Sequence, residues 1–226
     1  MDKRIVISLG GSLALPNEID INFLKKFKRF IERYVRFGFC FVIVVGGGSV
    51  ARKYQKAAQK IGALTRDDLD WLGIHATRLN AHLLRTVFKR IAYSHVVTDP
   101  TKKEGSNYSV IIASGWKPGW STDYDSVLLA KTFGAKTILN LSNISYVYSR
   151  DPKKNKNAKP LKNLLWKDFR KIVGNRWDPG ANLPFDPVAS KLAERFKFRV
   201  IILNGKNLKN VSQCIAGKSF IGTEIK

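Results

Sequence analysis

Phe39-Cys40-Phe41-Val42-Ile43-Val44-Val45-Gly46-Gly47-Gly48-Ser49-Val50-Ala51-Arg52 decides the reading of this chain. Its first seven residues are apolar, and most are β-branched or aromatic, the composition of a strand buried on both faces. The run stops at three glycines. Ser49 then stands where a side chain caps a helix, and that helix is predicted through Tyr54 and Ala58 to Ile61. A buried strand, a glycine turn and a helix start form an anion site. The glycines admit phosphate oxygens close to the backbone, and the helix N-terminus offers free N–H groups and partial positive charge. Arg52 follows closely enough to reach the same anion. An ordinary βα turn has the same local sequence, so the rest of the chain must discriminate.

Arg4 to Leu9 repeats the pattern and ends in Gly10-Gly11-Ser12. In an open α/β sheet two such turns can face one crevice. The apolar run Ile5 to Leu15 behind Lys3 and Arg4 is broken by glycines and has no cleavage motif, so it reads as a buried first strand and not as a signal peptide.

A helix follows from Asp20 to Phe37, with Ile21, Leu24, Phe27, Ile31 and Tyr34 on its apolar side. A longer helix is expected from about Asp68 to Tyr93, with Trp71, Ile74, Leu79, Leu83, Val87, Phe88 and Ile91 inward. Asp70 near its start is either an acid favoured by the helix dipole or a ligand for a hydroxyl. Val110 to Ala113 is another buried strand, followed by a loop through Lys117, Pro118, Gly119, Trp120 and Ser121. Thr122 with Asp125 fits a capping box opening a helix to Phe133. Capping alone accounts for Thr122, Asp123 and Asp125, although such loops also hold ligands in α/β proteins.

Further strands are expected at Thr137–Leu141, Arg199–Leu203 and Gly222–Ile225, and helices at Leu165–Val173, Val188–Phe196 and Leu208–Ala216. Pro187 sits at a favoured first-turn position, and Lys191 lies one turn further on. The lysines at 153, 154, 156, 159 and 162 form a solvated loop or one that closes over phosphates. Alternating strands and helices predict a mainly parallel sheet between helix layers.

The chain has 226 residues, 44% of them hydrophobic, enough for a sizeable core. Its net charge of +23 suits anionic partners, but no nucleic-acid motif or basic tail accompanies it. Cys40 and Cys214 fall in apolar elements and read as inert core thiols in a reducing compartment. With three histidines and no metal-ligand spacing, a histidine-lined metal store is disfavoured.

Taken in order, these motifs resemble the amino-acid-kinase superfamily and, within it, UMP kinases of the archaeal type. The resemblance rests on Gly10-Gly11-Ser12, Gly46-Gly47-Gly48 with Ala51-Arg52, and Gly73-Ile74 with Ala76 to Ala81. It continues through Pro118-Gly119 with Ser121-Thr122-Asp123, Asn143, Val147-Tyr148, Asp151-Pro152, Asp186-Pro187 with Lys191, and Gly222-Thr223. It implies a carbamate-kinase-like sandwich forming one domain, with residues 1 to about 134 serving the acceptor nucleotide and about 135–226 serving ATP. It implies transfer of the γ-phosphoryl group of ATP to UMP with Mg²⁺, in a cytoplasmic homohexamer that binds neither membrane nor specific nucleic acid. UMP contacts are implied at Gly46, Asp70 and Lys117 through Pro118, Gly119, Trp120, Ser121, Thr122 and Asp123. ATP contacts are implied at Gly10, Gly11, Gly47, Arg52, Ser142, Asn143, Tyr148 and Asp151. Lys191, Asp123 and Arg52 are implied in catalysis, Asp123 orienting the lysine.

Three departures stand out. Ser8 occupies the place of a lysine common in the wider superfamily, as in the archaeal subgroup. Ser114-Gly115-Trp116 replaces Gly-Gly-Thr, putting an indole beside the nucleobase pocket. Asn143-Ile144-Ser145-Tyr146 loses an acid and a glycine near the ATP site. Competing expectations are another small-molecule kinase of the same fold, a nucleotide-binding sensor without catalysis, and a basic nucleic-acid binder.

Overall fold

The computed structural model describes residues 3–14, 16–152, 154–176 and 183–226. Its elements are β1 (Arg4–Leu9), α1 (Gly11–Ala14), α2 (Ile21–Arg36), β2 (Cys40–Val45), α3 (Gly48–Ile61), α4 (Arg66–Val87), β3 (Val110–Ala113), α5 (Thr122–Phe133) and β4 (Thr137–Ser142). Then come β5 (Val147–Tyr148), β6 (Pro160–Leu161), β7 (Asn163–Leu164), α6 (Trp166–Val173), α7 (Pro187–Arg195), β8 (Arg199–Asn204), α8 (Leu208–Ile215) and β9 (Thr223–Ile225). The central sheet runs β3-β2-β1-β4-β8-β9-β7. Strands β3 through β8 in that order are mutually parallel, β9 is antiparallel to β8, and β5 and β6 form a separate antiparallel ribbon.

Alternation along each strand feeds two cores. On one face Ile5, Ile7 and Leu9 meet Phe27 and Ile31 of α2, Leu84 of α4 and Val211 of α8. On the other, Val6, Val42 and Val44 meet Val127 of α5, Phe169 of α6 and Ala189 of α7. Ser8 follows Val6 on this second face, so its hydroxyl is directed at the α5 and α7 layer. From β1 the chain moves to β2 and β3 on one side, then to β4 and β8 on the other. The order therefore reverses between β1 and β4, the position at which open α/β sheets leave a crevice beyond the carboxyl ends of their strands.

Several boundaries differ from the sequence expectations. Gly47, without a side-chain bond, caps α3, and Ser49 is buried inside the first turn. A capping box of Thr65 with Asp68 starts α4. That helix stops at Val87 and not at Tyr93, because the following segment pairs with β3: Ala92 bridges to Val110 and Val97 to Ala113. Trp71 and Leu79, expected inward, are 42% and 64% exposed. Ser121, not Thr122, caps α5. Leu15, Lys153, Pro179 and Gly180 lie outside the described residues. Among the described residues no helix is long and apolar enough to cross a membrane.

Candidate active site

The two glycine turns meet backbone to backbone at the mouth of the crevice. The Gly10 amide donates to Leu141 O at 2.9 Å, and the Gly46 amide donates to Leu9 O at 3.0 Å. These bonds tie the end of β1 to its neighbours on both sides. Gly48 has φ +62°, a left-handed conformation that glycine adopts without strain. A Cβ on Gly11 would lie 2.5 Å from Gly46 O and 2.6 Å from Gly48 Cα. The contact is thus possible only between glycines. Asn80, 1% exposed, reaches across from α4, and its amide donates to Gly46 O at 2.9 Å and Gly47 O at 3.1 Å. Its role was missed in the sequence. The available signal was a polar side chain inside a buried helix stripe, which must find a partner there. Arg52 is exposed on α3, and its side chain makes no hydrogen bond or ion pair among the described residues.

Opposite the turns, α5 and α7 bring three carboxyl groups together. Asp186 caps α7, its Oδ1 accepting from the amides of Val188 at 2.5 Å and Ala189 at 3.0 Å, while its Oδ2 accepts from the Ser121 hydroxyl. The Asp186 amide donates to Asp123 Oδ2 at 3.1 Å, and Ser8 Oγ donates to Asp123 Oδ1 at 3.0 Å. Asn140 Nδ2 lies 3.4 Å from the same Oδ1. Desolvation, reinforced by the nearby Asp186 charge, pushes the Asp123 carboxyl up to about 7. Desolvation also raises Asp186 and takes Asp125 to about 8. The expected pairing of Asp123 with Lys191 is not what the structure shows. Asp123 is engaged by Ser8, Asn140 and the Asp186 backbone, and Lys191 is exposed on the second turn of α7 with no ion pair among the described residues. The reason is geometric: the Asp186 backbone and the β1 hydroxyl lie directly against the start of α5.

The loop after β3 is held at successive points. Thr77 Oγ1 on α4 accepts from the Gly115 amide at 2.8 Å and donates to Ile74 O at 2.6 Å. Asp125 Oδ2 accepts from the Trp116 amide at 3.1 Å, and Arg78 Nη2 lies 3.5 Å from Trp116 O. Asp70, buried on α4, accepts from the Gly119 amide through Oδ2 at 2.8 Å. The sequence left Asp70 between a first-turn acid and a ligand for a hydroxyl; in the structure its Oδ2 also holds the loop. Lys117 Nζ sits 4.0 Å from the Trp116 ring centroid, and Trp120 stacks on Tyr124 with centroids 4.0 Å apart. Pro118 lies within this loop, and Thr122 is the first residue of α5.

Ser142 ends β4 across the crevice, and Asn143 follows it in the open. Tyr148, half-buried on β5, meets Tyr146 edge-on at 6.4 Å, and Asp151 is exposed beyond it. The ribbon is anchored through Thr223, whose Oγ1 accepts from the Val147 amide at 2.8 Å. Two groups of expected ligand residues therefore flank the β1–β4 crevice: Lys117 to Asp123 on the β3 side, and Ser142 to Asp151 on the β4 side. The glycine turns lie between them.

Residues 3–204 match the Amino acid kinase family. The chain is 35% identical over 218 residues to a uridylate kinase of Pyrococcus abyssi, covering 95% of this chain and 96% of that one. It is 34% identical to a uridylate kinase of Methanoculleus marisnigri, covering 99% and 95%. Among solved structures, the uridylate kinase of Archaeoglobus fulgidus superposes with a TM-score of 0.84 at 34% identity, covering 98% and 99%.

Proposed function

The chain belongs to the amino acid kinase family, and from that premise we propose that it is a uridylate kinase. It transfers the γ-phosphoryl group of ATP to UMP, giving UDP and ADP in pyrimidine nucleotide biosynthesis. The observation that carries the reading is the crevice itself, in which apposed glycine turns lie between a tightly held loop on one side and an open edge on the other. In this reading residues 1 to about 134 supply the UMP side and about 135–226 the ATP side.

Phosphoryl transfer between two phosphates needs no covalent nucleophile from the protein. What the protein provides is alignment and charge neutralisation. Gly10 and Gly46, whose own amides are taken by Leu141 O and Leu9 O, let phosphate oxygens approach the bare backbone, and the amides of Gly11 and Gly47 donate to those oxygens, assisted by the N-terminus of α3. Arg52 and Lys191 supply mobile positive charge from opposite sides. Among the described residues no three His, Cys, Asp or Glu side chains converge as a metal cage. Mg²⁺ suits this site as an ion carried on the ATP phosphates, its usual mode, where it neutralises charge on the transferring group. Asp123, rather than holding Lys191, locks the starts of α5 and α7 against β1. Tyr148 flanks the adenine.

An assembly of copies is part of the same reading. Ile19, Ile21 and Leu79 are 49%, 60% and 64% exposed, and Ile19 and Ile21 line a hollow of about 700 Å³ beside α2 and α4. Such apolar area suits burial against a second copy. Two free thiols, with Cys214 raised to about 12 by burial, accord with a cytoplasmic location.

A coupled ADP-release assay with UMP, CMP and dUMP tests the assignment. A site whose buried polar groups match uracil leaves them unpaired with cytosine, so UMP is the preferred acceptor. CMP turned over as well as UMP would overturn the label. Arg52→Lys tests the α3 side. A guanidinium grips phosphate oxygens with a fork that an ammonium lacks. The variant is therefore expected to raise KM for nucleotide or lower kcat by about tenfold. Wild-type kinetics would place the Arg52 side chain outside the phosphate site.

A further inference from the structure

We infer that Asp125 is a positioning residue of the acceptor site, a buried carboxyl that holds the Trp116 amide and so sets the loop on which the acceptor base rests. The inference depends on the uridylate kinase reading for the identity of that base, but the holding of the loop does not.

Asp125 is wholly buried on the first turn of α5. Its Oδ2 accepts from the Trp116 amide at 3.1 Å. The neighbouring ties at Gly115, Trp116 O and Gly119 all come from α4. Asp125 supplies the contact from the α5 side, so the backbone of Trp116 is gripped between two helices. Trp116 in turn carries the Lys117 ammonium on its ring. A shift of this peptide moves both the indole and the cation.

The second oxygen, Oδ1, is buried without a hydrogen-bond partner among the described residues. An ionised carboxylate there would be desolvated with one oxygen unmet. The groups around it add to the cost. Asp123 on α5 and Asp186 on α7 both disfavour its charge, and Tyr124 is itself raised in part by Asp125. The other elements packed most closely on α5 are β1, β2 and β4. Their one charged member, Arg4, bonds Phe133 O at the far end of α5. Further along α7 lie Lys191, Glu194 and Arg195. A proton on Oδ1 removes the charge and leaves Oδ2 free to accept from Trp116. Desolvation takes this carboxyl up to about 8, so the neutral form holds the loop at neutral pH.

The sign follows. The folded carboxyl binds its proton more tightly than the unfolded one, whose ordinary value is 3.8. Its stabilising effect is complete below that value and is lost as pH rises through about 8. Above that, a third negative charge joins Asp123 and Asp186 while the acceptor brings its own phosphate charge.

Two variants test this by steady-state kinetics from pH 6.5 to about 9 and by amide exchange of the ligand-free protein. Asp125→Ala leaves the Trp116 amide unpaired and is expected to raise KM for UMP about tenfold. KM for ATP and kcat should change little, and exchange at the Trp116 amide should accelerate. Asp125→Asn keeps an accepting oxygen. It should restore KM and exchange at pH 7 and abolish the alkaline rise in KM for UMP expected of the wild type. If the alanine variant does not fold, the asparagine variant and the pH profile still decide. Unchanged Trp116 exchange in Asp125→Ala, or an alkaline rise that persists in Asp125→Asn, would overturn the assignment. A wild type inactive on UMP whose Asp125→Ala variant still exchanges faster at Trp116 would refute the substrate reading and leave the loop-holding role supported.

Discussion

Gly11→Ala is expected to reduce turnover at least about a hundredfold, because misplacing phosphate-binding groups by about 1 Å costs that much. The added methyl would meet Gly46 O at 2.5 Å and Gly48 Cα at 2.6 Å. Both are backbone atoms, so no side chain can turn aside. Substitution at the partner glycine is equally blocked, since a Cβ on Gly48 would lie 2.7 Å from Gly11 O. Relief requires the β1 and β2 turns to separate. They are held by the Gly46 bond to Leu9 O and by the Asn80 amide on Gly46 and Gly47. Overpacking of this kind costs about 1–3 kcal/mol of stability. The loss of activity should exceed what unfolding explains, because the separated turns no longer present their amides to one phosphate chain. Gly62→Ala is the control, since a Cβ there meets nothing within 4 Å. Measuring kcat beside denaturant unfolding separates the two effects. A folded Gly11→Ala enzyme with kcat within a few-fold of wild type would move the phosphates away from these turns.

The parallel sheet was legible because strands buried on both faces have to be written as apolar runs, and Phe41–Val45, Val200–Leu203 and, apart from Ser8, Ile5–Leu9 are such runs. The glycine turns were legible for a related reason, since glycine is the residue that such a close backbone approach admits. What escaped depended on partners distant in sequence. Ser121 and Thr122 are adjacent hydroxyl residues, and local pattern cannot choose between them. The choice is made by the Ser121 bond to Asp186, 65 residues away. Asp125 read as a capping acid and Asp70 as either a helix-start acid or a ligand for a hydroxyl, yet the partners the structure gives them are amides of a loop that only the packed sheet brings near. The end of α4 was overrun because Phe88 and Ile91 continue the helical spacing, whereas pairing of Ala92 with Val110 ends the helix. Trp71 and Leu79 show the converse, apolar residues at inward spacing that face outward. Periodicity describes which face is apolar and leaves open whether that face has something to cover it.

Lys191→Ala should lower kcat by about a hundredfold or more while the protein remains folded. The transferring group spreads negative charge over its oxygens in the transition state, and that charge must be met by cations and donors already in place. From β1 none is available, because the residue pointing at the site is Ser8, whose hydroxyl is bound to Asp123 at 3.0 Å. Lys191 stands on the second turn of α7, whose N-terminus is fixed by Asp186 beside Asp123. Asp123 does not hold the ammonium. Its hydrogen bonds from Ser8 and from the Asp186 amide instead fix the helix that carries Lys191. The lysine is exposed and without a hydrogen bond or ion pair among the described residues. Removing it should therefore cost little stability, about 0.5 kcal/mol or less as for other surface changes. Binding should also change less than kcat, because a contact that strengthens as the oxygens gain charge acts chiefly on the transition state. Lys191→Arg retains the charge and should recover part of the loss, though a planar fork replaces a point charge. Single-turnover rates, with nucleotide affinities measured alongside, separate these terms. A folded Lys191→Ala enzyme with near-normal kcat would exclude Lys191 from phosphoryl transfer and leave Arg52 to supply the protein's charge there.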